Sequence, residues 1–186
     1  GESEKAMGKV LREFPRHELV LTSKVFWPMS DDVNDKGLSR KHIMESVHKS
    51  LKRIGTDYLD IYFCHRFDPE TPLLETVRAM HDIITSGKAL YWGTSEWSAA
   101  QIKEAVEVAD RHHLYRPQME QPQYNLFWRK RVEKELHRVC TGSGIGLTTW
   151  SPLASGILSG KYNEGIPPES RLALEGYEWL RDRLTQ

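Results

Sequence analysis

An α/β fold with a parallel sheet is what this sequence predicts, on three observations. Apolar runs of strand type alternate with apolar stripes at helical spacing. Five such repeats follow one another, at intervals of roughly 25–35 residues, the length that a crossover between parallel strands needs. The strands are short, and helices interrupt them too regularly for a sandwich.

Residues 4–14 carry Met7, Val10, Leu11 and Phe14 at helical spacing. "ELVLTSKVF" (18–26) follows as a strand, and 28–37 is polar and irregular, a loop. Ser39 caps a helix with a stripe of Ile43, Val47, Leu51 and Ile54, ended by Gly55. "YLDIYFCH" (58–65) is the second strand. A helix over 72–86 has Leu73, Val77, Met80 and Ile84 on one face and Gly87 beyond its end. "ALYWGTS" (89–95) is the third strand. Ser98 and Gln101 form a capping box for a helix carrying Ile102, Ala105, Val106 and Ala109. "PQMEQPQY" holds a short strand; Val132, Leu136 and Val139 mark another helix, and "IGLTTWSPL" (145–153) the last clear strand. The order suits a doubly wound sheet or a (β/α)8 barrel. A barrel takes about 250 residues and eight strands, so on that reading these 186 residues are a piece of one.

Composition excludes some partners. Lys+Arg and Asp+Glu are both 26, a net charge of zero, which gives no basic stripe for nucleic acid and no polybasic membrane patch. Cys64 and Cys140 lie far apart and make neither a disulfide framework nor a Cys-x-x-Cys site, as a reducing cytoplasm favours. No apolar run approaches the roughly 18 residues of a membrane span, and the polar start "GESE" is not a signal peptide. The expectation is a soluble cytoplasmic protein that binds no nucleic acid and does not insert into membranes. Oligomeric state stays open, a homo-oligomer included.

Two glycine motifs are decoys. "GSGIG" (142–146) follows a helix and precedes a strand, the reverse of a dinucleotide loop, and reads as a turn. "GILSGK" (156–161) is one residue short for a phosphate loop, with Tyr162 where Ser or Thr should hold magnesium.

Polar groups collect at the strands' carboxyl ends: Lys24, then Cys64-His65-Arg66, Thr94-Ser95, Glu120-Gln121 and Trp150-Ser151. In parallel α/β folds this edge is where sites are built. Each residue has a plainer reading. Lys24 can snorkel to solvent, His65 can be a packed histidine, Ser95 a turn cap, Gln121 a partner for loop backbone, Trp150 a plug. Their common edge favours a joint role. No metal constellation is present, and His112-His113 reads as a solvated pair at a helix end. A lysine can stabilise a neighbouring oxyanion, an imidazole can bond a carbonyl oxygen, an indole can stack on a flat heterocycle, and Ser and Gln can hold a carboxamide. Those parts suit carbonyl reduction by a nicotinamide cofactor. A barrel lyase or isomerase using Lys24 as a Schiff-base amine is a competing reading.

"LTSKVFW", "GLSRKHIMESVHKSLKRIGTDYLDIYFCHRFDPETPLLETVRAM", "YWGTSEWS", "EQPQYNLF" and "WSPLASGILSGKYNEGIPPESR" resemble the aldo-keto reductase superfamily, in the branch of potassium-channel beta subunits and bacterial oxidoreductases. The resemblance runs along essentially the whole chain. It implies a (β/α)8 TIM barrel, here incomplete, lacking N-terminal strands and the C-terminal segment, with 1–186 a single barrel domain in fragment form. It implies NADP(H) as cofactor, a small-molecule carbonyl substrate, and reduction of aldehydes or ketones by hydride transfer. The family tetrad is Asp, Tyr, Lys and His. Lys24 matches the lysine that lowers the tyrosine's pKa, and His65 the histidine that orients the carbonyl. Ser95 and Gln121 match the residues on the nicotinamide carboxamide, and Trp150 the ring stacked on the nicotinamide. Ser151, Pro152, Leu153, Ala154 and Ser155 match the pyrophosphate loop, and Lys161 and Arg171 the cations on the cofactor phosphates. The tetrad Asp and Tyr are expected just upstream of Gly1, so the isolated piece, with unpaired edge strands, is expected to fold poorly and reduce carbonyls inefficiently. Channel beta subunits of this branch carry Asn where this chain has His65, which favours a working reductase over an NADP(H)-binding regulatory or redox-sensing subunit. Glu169, in place of a tyrosine common in channel subunits, points the same way.

Overall fold

The alternating pattern folds as a five-strand parallel sheet in a computed structural model that describes residues 1–184, with side chains through Arg181. The strands are β1 (Thr22–Val25), β2 (Leu59–Cys64), β3 (Ala89–Ser95), β4 (Met119–Gln121) and β5 (Gly146–Leu147). The helices are α1 (Glu2–Leu11), α2 (Arg40–Ile54), α3 (Leu73–Thr85), α4 (Ala99–Arg111) and α5 (His137–Ser143), the last entered through a π-helical turn, Arg131–Leu136. Short 3-10 turns follow β5. The caps foreseen in the sequence are present: Ser39 accepts from the His42 N–H, Ser98 and Gln101 form a reciprocal box, and Gly55 closes α2 with φ 79°.

Strand order decides between the two candidate architectures. The sheet runs β1-β2-β3-β4-β5, each strand beside the next. A doubly wound sheet reverses direction at a switch point; this one does not. Because parallel crossovers share one hand, an unreversed order puts the helices on one face and leaves the other concave, as in an arc of a (β/α)8 barrel.

Period-two alternation then sorts the side chains. Val25, Tyr62, Cys64 and Trp92 join the helix-side core with Ile43, Val47, Met80, Ile83 and Ile102. Lys24, Phe63, Gly93, Met119 and Gly146 are matched in register across all five strands. That row lies on the concave face. Gly93 is required in it: a Cβ there would stand 2.7 Å from the Met119 carbonyl oxygen and 2.8 Å from the Phe63 ring.

Several boundaries differ from the sequence expectation, each for a local reason. α1 stops at Leu11 because Phe14 precedes Pro15, which disfavours helical backbone; Phe14 is half exposed. β1 begins at Thr22 rather than Glu18. Arg16 donates to the Leu19 carbonyl (2.9 Å) and pairs with Asp60 (2.7 Å), whose carboxylate accepts the Leu21 N–H (2.7 Å). Side chains thus satisfy backbone groups that a strand ladder would otherwise use. β4 spans three residues, with Pro117 and Pro122 on either side; a proline cannot donate to the ladder. β5 is correspondingly short, and pairing resumes only at the Gln123–Trp150 bridge. Residues 142–146 run from the last turn of α5 to the first residue of β5, and Gly144 takes φ 69° as the C-cap between them. They are a turn.

Gly93→Ala is expected to destabilise the parent protein by ~1–3 kcal/mol, the usual cost of forcing a methyl into a filled space. A thermal or urea melt checks it; an unshifted midpoint would contradict the tight Phe63–Gly93–Met119 contact.

Candidate active site

The carboxyl ends of β1 and β2 bring Lys24 and His65 into one cleft of about 480 Å³, lined also by Thr22, Phe26, Trp27 and Met29. The backbone sets this up: the His65 N–H bonds to the Val25 carbonyl (2.9 Å), holding His65 beside the end of β1. Trp27 meets the imidazole edge-on, with centroids 6.0 Å apart. The Arg66 guanidinium lies 5.7 Å from the Trp27 ring centre and donates to the His65 carbonyl at 2.5 Å. Lys24 Nζ sits 5.9 Å from the Phe63 ring centre.

These neighbours make protonation costly. Burial lowers the His65 pKa to about 4, with the Arg66 and Lys24 charges adding to the effect. His65 is therefore a neutral imidazole at pH 7, able to donate one hydrogen bond and accept another. Burial also lowers the Lys24 pKa, again with help from Arg66.

Ser95 and Gln121 meet further along the same face. Ser95 is buried and its hydroxyl donates to the Gln121 carbonyl (3.0 Å). With that proton committed, the Ser95 oxygen is left as an acceptor. The Gln121 amide nitrogen reaches Thr148 Oγ1 at 3.4 Å, which continues the row onto the segment after β5. Trp150, two residues on, is about one-third exposed, and its indole N–H donates to Glu96 at 2.8 Å.

After Trp150 the backbone coils tightly. Ser151, Ala154 and Ser155 all have positive φ (57°, 48° and 60°), and Gly156 follows at 96°. Asn125 anchors the start of this loop by donating to the Ser151 carbonyl (2.9 Å). Pro152 and Leu153 are exposed at its tip. The Lys161 stem lies against Gly156, where a Cβ would meet Lys161 Cε at 2.7 Å. Arg171 stands apart from the sheet, 5.3 Å from the ring centre of Tyr177, beside a small apolar cluster of Tyr162, Leu172 and Leu180. Neither Lys161 nor Arg171 has an ion-pair partner among the described residues.

The structure thus joins Lys24 with His65, Ser95 with Gln121, and Trp150 with the end of β3. It leaves Arg171 in a separate cluster. Sequence reasoning missed Thr148, Asn125 and Glu96. Asn125 had a signal, since an Asn before an irregular "LFW" reads as an Asx turn; its Oδ1 accepts from the Phe127 and Trp128 N–H groups. Among the described residues no three His, Cys, Asp or Glu side chains gather as a metal site, and no helix is long and apolar enough to cross a membrane.

A singly wound parallel arc with polar groups at the carboxyl ends of its strands is a segment of a barrel-type α/β protein. The chain belongs to the aldo/keto reductase family, which its residues 1–183 match. It is 55% identical over 186 residues to a probable voltage-gated potassium channel subunit beta of Arabidopsis thaliana, and 53% identical to a protein of the same description from Oryza sativa subsp. japonica. Each alignment covers 98% of this chain and 56% of the relative, so the chain spans about half the length of the curated relatives it matches.

Glu120 lies under the site, on the helix side of β4. Its Oε2 accepts from Thr94 Oγ1 (2.5 Å) while its Oε1 has no partner. Burial raises its pKa to about 7, against a smaller opposing effect of the Thr94 hydroxyl. A carboxyl whose folded pKa is raised contributes most stability below its unfolded pKa and loses it as pH rises through the folded value. Glu120→Gln is therefore expected to match the wild type near pH 4.5 and to exceed its stability above pH 7, on the order of 2–3 kcal/mol. Urea midpoints across that range check it; a difference that does not vary with pH would refute it.

Proposed function

We propose that this chain carries the larger part of the catalytic and cofactor-binding face of an NADP(H)-dependent oxidoreductase that reduces aldehydes or ketones, and that 1–186 is one barrel domain in part. The observation that carries the reading is Lys24 and His65 in a single cleft, both with depressed pKa values, next to the Ser95–Gln121–Thr148 row on one concave face. The fit to the cofactor rests on three features. Ser95 offers an acceptor and Gln121 an amide to the carboxamide. Trp150 offers an indole face to the nicotinamide ring. The left-handed backbone at Ala154–Gly156, with the unpaired Lys161 against it, makes a concave cationic seat for phosphate oxygens. Arg171 is proposed to reach the same phosphates by its side chain.

Bound there, NADPH supplies the hydride. The chain's own groups do the rest. Neutral His65 donates a hydrogen bond to the carbonyl oxygen and fixes its direction. Lys24 stabilises the anionic form of a proton-donating hydroxyl through its charge. Trp27 and Phe26 wall the cleft. No tyrosine lines the cleft among the described residues, so the proposal takes the proton-donating hydroxyl from a part of the full-length protein outside this segment. The two cysteines are buried free thiols, which supports a reducing, cytoplasmic setting.

A second reading has its own support in what both relatives are described as: a channel beta subunit, here one that would hold NADP(H) with slow chemistry. Turnover separates the two. The full-length protein is expected to oxidise NADPH with an aromatic aldehyde at a steady rate, and Lys24→Met to cut kcat by roughly 10²–10⁴, the usual worth of acid–base assistance. His65 titrates near pH 4, so it is expected to add no inflection to kcat/KM between pH 5.5 and 8. Tight NADPH binding without turnover of any aldehyde would favour the regulatory subunit.

A further inference from the structure

Glu96 does not belong to the polar row foreseen at the strand ends, yet three chain segments converge on it. It follows Ser95 directly and takes φ 59°, a left-handed backbone that a non-glycine residue pays for. Its side chain is 16% exposed. One carboxylate oxygen accepts both the Trp150 indole N–H (2.8 Å) and the Gln123 backbone N–H (2.6 Å). The other pairs with Arg131, whose second terminal nitrogen donates to the Trp97 carbonyl (2.8 Å). One carboxylate therefore ties the loop after β3 to the loop after β4, to the segment after β5 and to the π-helical turn.

We propose that Glu96 is a positioning residue for the cofactor, holding the Trp150 indole by its edge so that a ring face is presented to the nicotinamide. The proposal rests on the reading of Trp150 given above. A partly exposed indole has rotational freedom about two side-chain bonds, and losing that freedom on binding weakens affinity. A bond at the indole N–H fixes the plane of the ring in advance and leaves both faces free for stacking. Arg131 in turn fixes the carboxylate, and the bond to the Gln123 N–H keeps it in register with the bridge between Gln123 and Trp150. The carboxylate acts on the cofactor only through the indole.

That separation makes the test specific. NADPH dissociation constants would be measured by tryptophan quenching and by calorimetry on the full-length wild type, Glu96→Ala, Trp150→Phe and the double variant. Hydrogen bonds to charged groups support an expected loss of about tenfold for Glu96→Ala. In the Trp150→Phe background, which keeps a flat ring and lacks the indole N–H, the same change is expected to cost less than about twofold. Equal losses in both backgrounds would show a general collapse of the loop and overturn the proposal, as would wild-type affinity in Glu96→Ala. Should the alanine variant fail to fold, Glu96→Gln takes its place: at least a twofold loss that vanishes in Trp150→Phe supports the proposal, and no loss overturns it. A wild type that binds no NADPH overturns the functional reading itself, and this inference with it.

Discussion

The constraint on which everything else depends is the unreversed order of parallel strands. Since each strand lies beside the next in sequence, every crossover returns on the same side. All five carboxyl ends then meet at one rim, and alternate residues of every strand face away from the helices. A lysine on β1, a serine on β3 and a glutamine on β4 share a face because they share parity and register, through the chain of partners Lys24–Phe63–Gly93 and Ser95–Gln121. A single reversal would put helices on both faces and cover part of this concave surface. The glycine in this row matters for the same reason. Phe63 lies over Gly93 and closes the floor beneath Lys24, and a larger residue would separate β3 from β4.

On that rim the protein places cations where burial works against them. The Lys24 ammonium and the Arg66 guanidinium both stand near the neutral His65 imidazole, and no carboxylate forms an ion pair with either cation among the described residues. Elsewhere in the molecule comparable charges are paired: Arg16 with Asp60, Arg53 with Glu4, Arg131 with Glu96. An unpaired cluster of like charge is unfavourable in the free protein and becomes favourable when an anion forms within it. On the function proposed above, that arrangement would favour a developing oxyanion, and burial would give Lys24 more influence on a neighbouring hydroxyl than a solvated lysine has.

The sequence made the alternation of elements, the caps and most of the strand-end residues legible because those depend on local pattern. Ser39, Gly55 and the Ser98–Gln101 box act within one turn of their helix. Lys24 and Gln121 could be placed because strands and their ends follow from hydrophobic runs. What stayed hidden depends on residues far apart in sequence. The late start of β1 reflects Asp60, whose carboxylate takes the Leu21 N–H from across the sheet. The short β5 reflects Pro122 in its neighbour. Nothing local marks Glu96, because its partners Gln123, Arg131 and Trp150 are 27, 35 and 54 residues away. Arg171 was assigned by resemblance to the cofactor phosphates, and the structure sets it beside Tyr177, where only its side-chain length connects it to that role.

Backbone strain marks the same rim independently. Among the described residues, five non-glycine positions have positive φ. His113 is one, and it terminates α4, where a left-handed residue is common. The remaining four are Glu96, Ser151, Ala154 and Ser155, all in loops that leave the carboxyl ends of β3 and β5. Each costs about 1 kcal/mol or more, and such residues persist only where surrounding contacts over-determine them. Here the contacts can be named: the Glu96 carboxylate with its three partners, and the Asn125 amide on the Ser151 carbonyl. A loop that merely connects elements has no need of such restraint, since extended or right-handed backbone would serve. Strain held in place by specific bonds at one rim, and nearly nowhere else, is what the proposed cofactor-binding role would need of loops shaped in advance. The cost is met on folding, and binding does not have to meet it again.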